Sequence, residues 1–530
     1  MQLVHDLIRE SAARDAGAMA LRYGAESLDY GGLADKVTRV AGGLLALGLT
    51  RRDRVAVYLE KRFETVVGLF AASMAGGAFV PVNPQLKVRQ VLHILRDCNV
   101  RVLITNQARL DTLSEVLGEC PDLAAVVVVD GAPARLPSFG GSSLSWSDLL
   151  AIEPEQPSVP CSAVETDMAA ILYTSGSTGL PKGVVLSHRN LVAGALSVSA
   201  YLENRPSDRI LSLLPLSFDA GLSQLTTAFA VGAGVVLFNY LLPRDVVRFC
   251  SRESITGITA VPPLWIQLAS LEWPPEAAAN LRYLANTGGH MPRATLDRLR
   301  QHFPQARPYL MYGLTEAFRS TYLDPTEVDR RPDSIGKAVP NAEVIVIRPD
   351  GSLCEAGEVG ELVHRGPFVA LGYWNDAERT AERFRPAPGL PGGLCQSERA
   401  VWSGDQVRRD EEGFLYFVGR ADDMIKTSGY RVSPTELEEV VYASGLVGEA
   451  VALGVGHPVL GQAIVVVATP PGGAQLDGEG ILARCRVELP NFMVPHQVVS
   501  RDALPRNANG KIDRRLLAEE LEHLFRGEAS

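Results

Sequence analysis

The sequence predicts an α/β protein: a large N-terminal domain of mostly parallel sheets flanked by helices, with a small α+β C-terminal domain behind it. Three observations carry that expectation. The hydrophobic period alternates between helical and strand spacing through the first 130 residues, residues 220–243 hold no charged side chain, and past about residue 420 the elements become fewer and shorter.

Taken in order, Leu33, Val37, Val40, Leu44 and Leu45 recur at helical spacing, 54–59 reads as a strand, 63–74 as a helix and 78–82 as a strand. The alternation continues through 88–95 (helix), 102–104 (strand) and the apolar run 124–129, as in a parallel sheet with helices on its faces. Such sheets bind ligands beyond the carboxyl ends of their strands. Residues 130–165, rich in Pro, Ser and Gly, read as a surface connection. The uncharged stretch 220–243 is interrupted by Ser223, Gln224, Thr226, Thr227 and Asn239 and punctuated by Gly232 and Gly234, so it predicts a buried helix and strand rather than a membrane span. The run 385–393, with three prolines and three glycines, predicts a loop. Beyond 420, a helix near 434–442, strands near 450–454 and 463–469 and a helix near 479–489 suffice for a domain of their own.

Composition removes several function classes. Apolar residues at 46% and charged residues at 21% are the proportions of a packed globular chain. A net charge of −10 repels nucleic acid and anionic membrane, so an anionic ligand must be held by local cations or backbone N–H groups. The seven cysteines (98, 120, 161, 250, 354, 395 and 485) are odd in number and never spaced as Cys-x-x-Cys, which fits a reducing cytoplasm. The first ten residues mix acids into their turns and do not read as a signal peptide.

The segment richest in chemistry follows the apolar run 171–173. Thr174, Ser175, Gly176, Ser177, Thr178 and Gly179 lead through Leu180 and Pro181 to Lys182 and Gly183. Its unobstructed backbone N–H groups, four hydroxyls and one ammonium suit a polyphosphate. It is not a Walker loop, because Lys182 follows Pro181 and precedes Gly183 rather than Ser or Thr.

This loop resembles the phosphate-binding loop of the AMP-forming adenylating superfamily, which includes acyl-CoA synthetases, nonribosomal adenylation domains and luciferases. Further segments match in the order that superfamily requires: Gly288-Gly289-His290, Tyr312-Gly313-Leu314-Thr315-Glu316, Ser403-Gly404-Asp405, Gly419-Arg420-Ala421-Asp422-Asp423-Met424-Ile425-Lys426, and Pro505-Arg506-Asn507-Ala508-Asn509-Gly510-Lys511. The resemblance covers essentially the whole chain. Through Leu216-Ser217-Phe218-Asp219 and residues 314–321 it is most similar to the acyl-CoA ligase subfamily associated with exosortase A gene clusters.

The resemblance implies an adenylating domain at 1–420 and a mobile cap at 421–530. It implies a ligase that joins a carboxylate to ATP and passes the acyl group to a thiol of CoA or of a carrier-protein phosphopantetheine. It also implies roles. Thr174 to Gly179, Lys182, Gly288, Gly313 and Lys426 would serve the nucleotide, and Thr315 the α-phosphate. Glu316 would hold Mg²⁺, a hard cation suited to a carboxylate. Tyr312 would stack on adenine, and Asp405 and Arg420 would take the ribose. Lys511 would enter the site for adenylation, Asp422 would be the hinge, and Gly429 would line the thiol path. Thr287, Met311, Phe218, Asp219 and Arg319 would bound the acid.

Asp219 falls where amino-acid-activating members bind an α-ammonium, but its buried carboxylate would equally suit Arg319. Separate, the two would favour a zwitterionic acid with a polar side chain; paired, they would leave a polar pocket that does not select amines. Gly221, and Leu314 in place of proline, look more like stand-alone acid–thiol ligases. The segment after His290 lacks a phosphopantetheine serine, so the expected partners are a small carboxylic or amino acid and an external thiol, including a separate carrier protein. Arg514-Arg515 is a candidate carrier contact; Arg51-Arg52 and Arg330-Arg331 read as solvated faces. The rivals are a fatty-acyl-CoA or fatty-acyl-AMP ligase, for which two buried charges are awkward, and a non-catalytic homologue, which would have lost Lys511, Glu316 or Asp405.

Overall fold

The computed structural model describes residues 2–131, 139–152, 163–174, 181–289, 291, 293–389, 393, 398–420, 424–432, 434–471, 475–505 and 512–525. Two large sheets dominate. The eight-stranded one runs Gly372–Tyr373, Lys182–Ser187, Met168–Thr174, Ala78–Pro81, Arg54–Tyr58, Val100–Thr105, Ala125–Val128, Ser142–Ser145. It is parallel from Met168–Thr174 onward and antiparallel at the other edge. The nine-stranded sheet carries the parallel run Arg307–Tyr312, Tyr283–Asn286, Gly257–Ala260, Arg209–Ser212, Gly234–Leu237 and Met19–Tyr23 at its centre.

The main core joins both sheets and the helices Tyr30–Ala46, Phe63–Met74, His188–Tyr201 and Asp219–Val231. The uncharged stretch is explained by this place: every residue from Ala220 to Ala230 is buried, so the helix has no polar face to give to water. It ends on Gly232 in the left-handed region (φ 82°), and the strand Gly234–Leu237 follows, fully buried.

The expected alternation is present with shifted ends, but one expectation needs correction. The connection 130–165 is not all loop, because Ser142–Ser145 adds an edge strand and Trp146–Ala151 a capped helix packed against Gly43. The large body is mostly parallel, as expected, with one exception. Glu343–Ile347, Val359–Arg365, Arg399–Arg409, Phe384–Pro386 and Leu415–Arg420 form a separate antiparallel sheet. A fourth sheet, built from the hairpin Ile425–Thr427 and Tyr430–Val432 with Gly461–Ala468, Ala450–His457 and Gln497–Ser500, is covered by the helices Pro434–Ala443, Gly478–Glu488 and Arg514–Glu520. No helix among the described residues is long and apolar enough to cross a membrane.

Candidate active site

A cavity of about 570 Å³ lies at the carboxyl ends of parallel strands from both large sheets. Pro81 and Asn83 follow one strand, Leu214 to Ala220 a second, Val261 a third, Thr287 to Gly289 a fourth, and Tyr312 to Glu316 a fifth. Lys426, Gly429, Tyr430, Arg431, Phe492 and Met493 close it from the C-terminal sheet side.

At the end where the sequence places the phosphates, Thr174 and Lys182 stand opposite each other on antiparallel strands. Ser175, Gly176, Ser177, Thr178 and Gly179 lie outside the described residues, as do Asp422 and Lys511. Thr174 Oγ1 is buried without a hydrogen-bond partner among the described residues, a polar demand that a bound phosphate or water would meet. Lys182 Nζ donates to the Tyr373 hydroxyl at 3.0 Å and lies 3.4 Å from Glu316 Oε1, while Tyr373 donates to that same oxygen at 2.6 Å. Burial raises the Glu316 carboxyl, but Lys182 and Arg431, then Tyr373 and Arg383, outweigh it and bring its pKa to about 2. Burial lowers the Lys182 ammonium, against the pull of Glu316.

Glu316 sits in the short turn Thr315–Ala317, and Thr315 lines the cavity beside it. Glu316 Oε2 carries no hydrogen bond among the described residues. A single ionised carboxylate with one oxygen to give, next to a phosphate loop, is the donor set Mg²⁺ takes when phosphates and waters supply the remaining ligands. No group of three or more metal-ligating side chains occurs among the described residues.

At the end where the sequence places the nucleoside, Gly288 takes φ 78° and Gly313 lets the chain pass 3.2 Å from where its Cβ would lie. The Tyr312 ring lines the cavity, and its hydroxyl donates to Asp405 Oδ2 at 2.5 Å. Asp405, 1% exposed, therefore sits one layer behind Tyr312 rather than on the wall. The backbone of Arg420 is paired opposite Asp405.

At the acid end, Phe218, Asp219, Thr287 and Met311 line the cavity. Arg319 does not: it lies beneath, 2% exposed, with Nη1 on Asp219 Oδ2 at 2.8 Å and on the Phe318 carbonyl at 2.8 Å. The pair that the sequence left as alternatives is thus formed.

Opposite the acid end, Ser428 (φ 51°) and Gly429 (φ 81°) make a tight hairpin turn whose tip rests on Val261 and Gly288. Tyr430 stacks on Phe492 at 3.7 Å and meets Phe218 edge-on at 5.0 Å. The Lys426 ammonium lies 4.4 Å from the Phe417 ring centroid.

Tyr373, Arg383 and Arg431 were missed by sequence reasoning. Tyr373 arrives through the edge pairing of Gly372–Tyr373 with Val184 and Val185, which no local pattern announces. Of the candidate carrier contact, Arg514 is engaged by Glu438 at 2.8 Å and by the Ala452 carbonyl, and the Arg515 side chain lies outside the described ones. Arg51 and Arg52 are exposed, as expected of a solvated face, while both bind the buried Asp167; Arg330 is likewise exposed, and only Arg331 is buried, against Glu412.

Residues 8–374 match the family described as AMP-binding enzyme, and residues 436–511 match the AMP-binding enzyme C-terminal domain. The chain belongs to the AMP-binding enzyme family. This AMP-binding enzyme is 32% identical to an L-proline–[L-prolyl-carrier protein] ligase of Pseudomonas fluorescens, over 98% of this chain and all of that protein. It is 31% identical to a feruloyl-CoA synthase of Amycolatopsis, over 93% of this chain and 94% of that one. It is also 30% identical, over 97% of its own length, to a linear gramicidin synthase of Brevibacillus parabrevis, of which it spans only a tenth. The fold superposes on an o-succinylbenzoate CoA synthetase of Bacillus subtilis, a double mutant bound with its product analogue, with a TM-score of 0.81 at 25% identity, covering 96% of this chain and 97% of that one. AMP-forming ligation of an acid to a thiol is the chemistry of this AMP-binding enzyme.

Proposed function

We propose that the chain adenylates a small carboxylic acid bearing a polar group near its carboxylate, then passes the acyl group to the thiol of CoA or of a carrier-protein phosphopantetheine. The observation that carries this reading is the meeting, in one cavity, of a phosphate end built on Lys182 and Glu316 with an acid end built on Asp219. In the first step a carboxylate oxygen attacks the α-phosphorus of ATP, the bond to the β-phosphate breaks, and pyrophosphate leaves. In the second the thiol sulfur attacks the acyl carbon, its proton goes to solvent, and AMP leaves.

The residues divide the work by position. Thr174 through Gly179 and Lys182 cradle the phosphates, with Thr315 on the α-phosphate. Glu316 holds Mg²⁺, which when bound spreads the charge of the phosphates. Tyr373 fixes the Glu316 oxygen that faces Lys182. Tyr312 and Gly288 bound the adenine, Asp405 anchors the Tyr312 hydroxyl from behind, and Arg420 takes the ribose. Lys511 supports the first step, and the cap, residues 421–530, turns about Asp422 to bring Gly429 against Gly288 for the second. Both CoA and a carrier protein occur as acceptors in the names of the relatives, and the likeness of 216–219 and 314–321 to the exosortase-associated subfamily supports a carrier.

ATP–pyrophosphate exchange against amino, hydroxy, aryl and fatty acids, followed by addition of CoA or of a phosphopantetheinylated carrier, tests the reading. Exchange is expected with small polar acids at least about tenfold faster than with long-chain fatty acids, a polar pocket floor disfavouring a methylene tail. Exchange with fatty acids alone would replace this substrate class, and exchange with no acid would refute the activity.

A further inference from the structure

The acid end contains a carboxylate that is already neutralised. Asp219, the first residue of the helix Asp219–Val231, gives Oδ2 to Arg319, while Oδ1 makes no hydrogen bond among the described residues and the side chain keeps 17% of its surface open. Its counter-charge is held firmly. Phe318 takes φ 54° and ψ −59°, and Arg319 N reaches back to the Ala317 carbonyl at 2.6 Å, a γ-turn that a non-glycine residue adopts only under constraint.

Two glycines supply that constraint. A Cβ on Gly194 would fall 2.4 Å from the Phe318 ring, and one on Gly313 3.2 Å from Arg319 Cα. Beneath the pair is a second cavity of about 20 Å³, room for one water, lined by Arg319, Ser223, Gln224, Thr227 and Thr259 among others. Arg319 Nε and, on the main cavity wall, Ser217 Oγ are buried with no hydrogen-bond partner among the described residues.

Resting on the ligase reading above, we infer that the acid pocket selects a substrate whose group next to the carboxylate is an uncharged hydrogen-bond donor, a hydroxyl or amide N–H, over one with an α-ammonium. Arg319 is the residue that sets this choice. An unpaired buried carboxylate would demand a cation, but Arg319 meets that demand from within the protein. An incoming ammonium would then be desolvated beside a guanidinium that it does not need to replace. A hydroxyl donates to Asp219 Oδ1 and accepts from Ser217 Oγ without adding charge. The small cavity beneath, lined in part by Ser223, Gln224, Thr227 and Thr259, has room for one water beside Arg319.

The test is kcat/KM in pyrophosphate exchange for the matched pairs L-lactate and L-alanine, and L-phenyllactate and L-phenylalanine. The unaltered enzyme is expected to favour the hydroxy acid of each active pair by about tenfold or more, and Arg319→Met to move that ratio toward the amine by about tenfold or more, since it leaves Asp219 uncompensated. The double variant Asp219→Asn with Arg319→Gln removes both charges but keeps the amide hydrogen bonding, and should retain the preference for the hydroxy acid. That variant decides the matter if Arg319→Met does not fold. An amine preference in the unaltered enzyme, or a ratio that either folded variant leaves contrary to these directions, would overturn the inference while the ligase reading stood. Exchange with no acid of any class would remove both.

Discussion

Lys61 shows how a single residue can be expensive and still be retained. It is 8% exposed, it donates to the Leu213 carbonyl at 2.8 Å, and burial lowers its pKa from 10.5 to about 7. Between those two values the unfolded chain binds a proton that the folded chain does not, so stability rises with pH from about 7 to 10.5. Lys61→Met should therefore stabilise the protein most at pH 7 and below, by a few kcal/mol at about 1.4 kcal/mol for each tenfold loss of proton affinity, with the gain shrinking as pH rises. Urea midpoints of both proteins at pH 7 and pH 9.5 measure this; a gain that grows with pH would contradict it. At this scale the sequence revealed chemistry that travels in motifs and hid chemistry that arrives alone. Glu316 and Lys182 stand in recognisable runs, whereas Tyr373, Arg383 and Arg431 reach the same carboxylate from three other segments. Asp219 and Arg319 were legible as neighbours, but only the γ-turn at Phe318 decides that they touch.

The hairpin formed by Ile425–Thr427 and Tyr430–Val432 is the element on which the proposed second step depends. Its turn needs positive φ at Ser428 and Gly429, and a Cβ on Gly429 would lie 2.7 Å from Val261 Cγ1. Gly429→Val should slow thiol transfer from a supplied acyl-adenylate by about 30-fold or more, as overpacking of about 1–3 kcal/mol adds to the strain of a branched residue at positive φ. Pyrophosphate exchange should stay within a few-fold of normal; equal loss in both half-reactions would argue for a folding defect instead. Element identity was readable where the period was sustained, as in the helix Phe63–Met74 and the strand Gly234–Leu237. It was not readable in the antiparallel sheet from Glu343 to Arg420, whose strands are short or half-exposed and are joined across the run that contains Pro386, Pro388 and Pro391. Non-local pairing, rather than any local propensity, makes that sheet.

Across the whole molecule, the cavity has walls from two sources. Gln90 meets Glu436 at 2.9 Å, Phe218 meets Tyr430, and Gly429 meets Val261, so the C-terminal sheet is seated on the rim of the acid pocket. A protein of net charge −10 gathers Lys182, Arg383, Lys426 and Arg431 around that cavity, which is how it can hold an anion at all. On the proposed cycle of two orientations, Tyr430→Ala removes the aromatic bridge and should lower thiol transfer by about tenfold, the loss of two ring contacts worth about 0.5–1.5 kcal/mol each, while sparing adenylation. Lys511→Ala should do the reverse, losing about 10²–10³ in adenylation and sparing transfer from a supplied adenylate. Single-turnover rates for each half-reaction separate the two; parallel losses would reject a cap with two duties. The aromatic cluster of Phe218, Tyr430 and Phe492 also bears on inhibitor design. A compound whose one end fills the acid pocket and whose other end lies against Tyr430 and Phe492 would compete with the acid and, by bridging the two walls, act as a staple that holds the C-terminal sheet on the rim of that pocket.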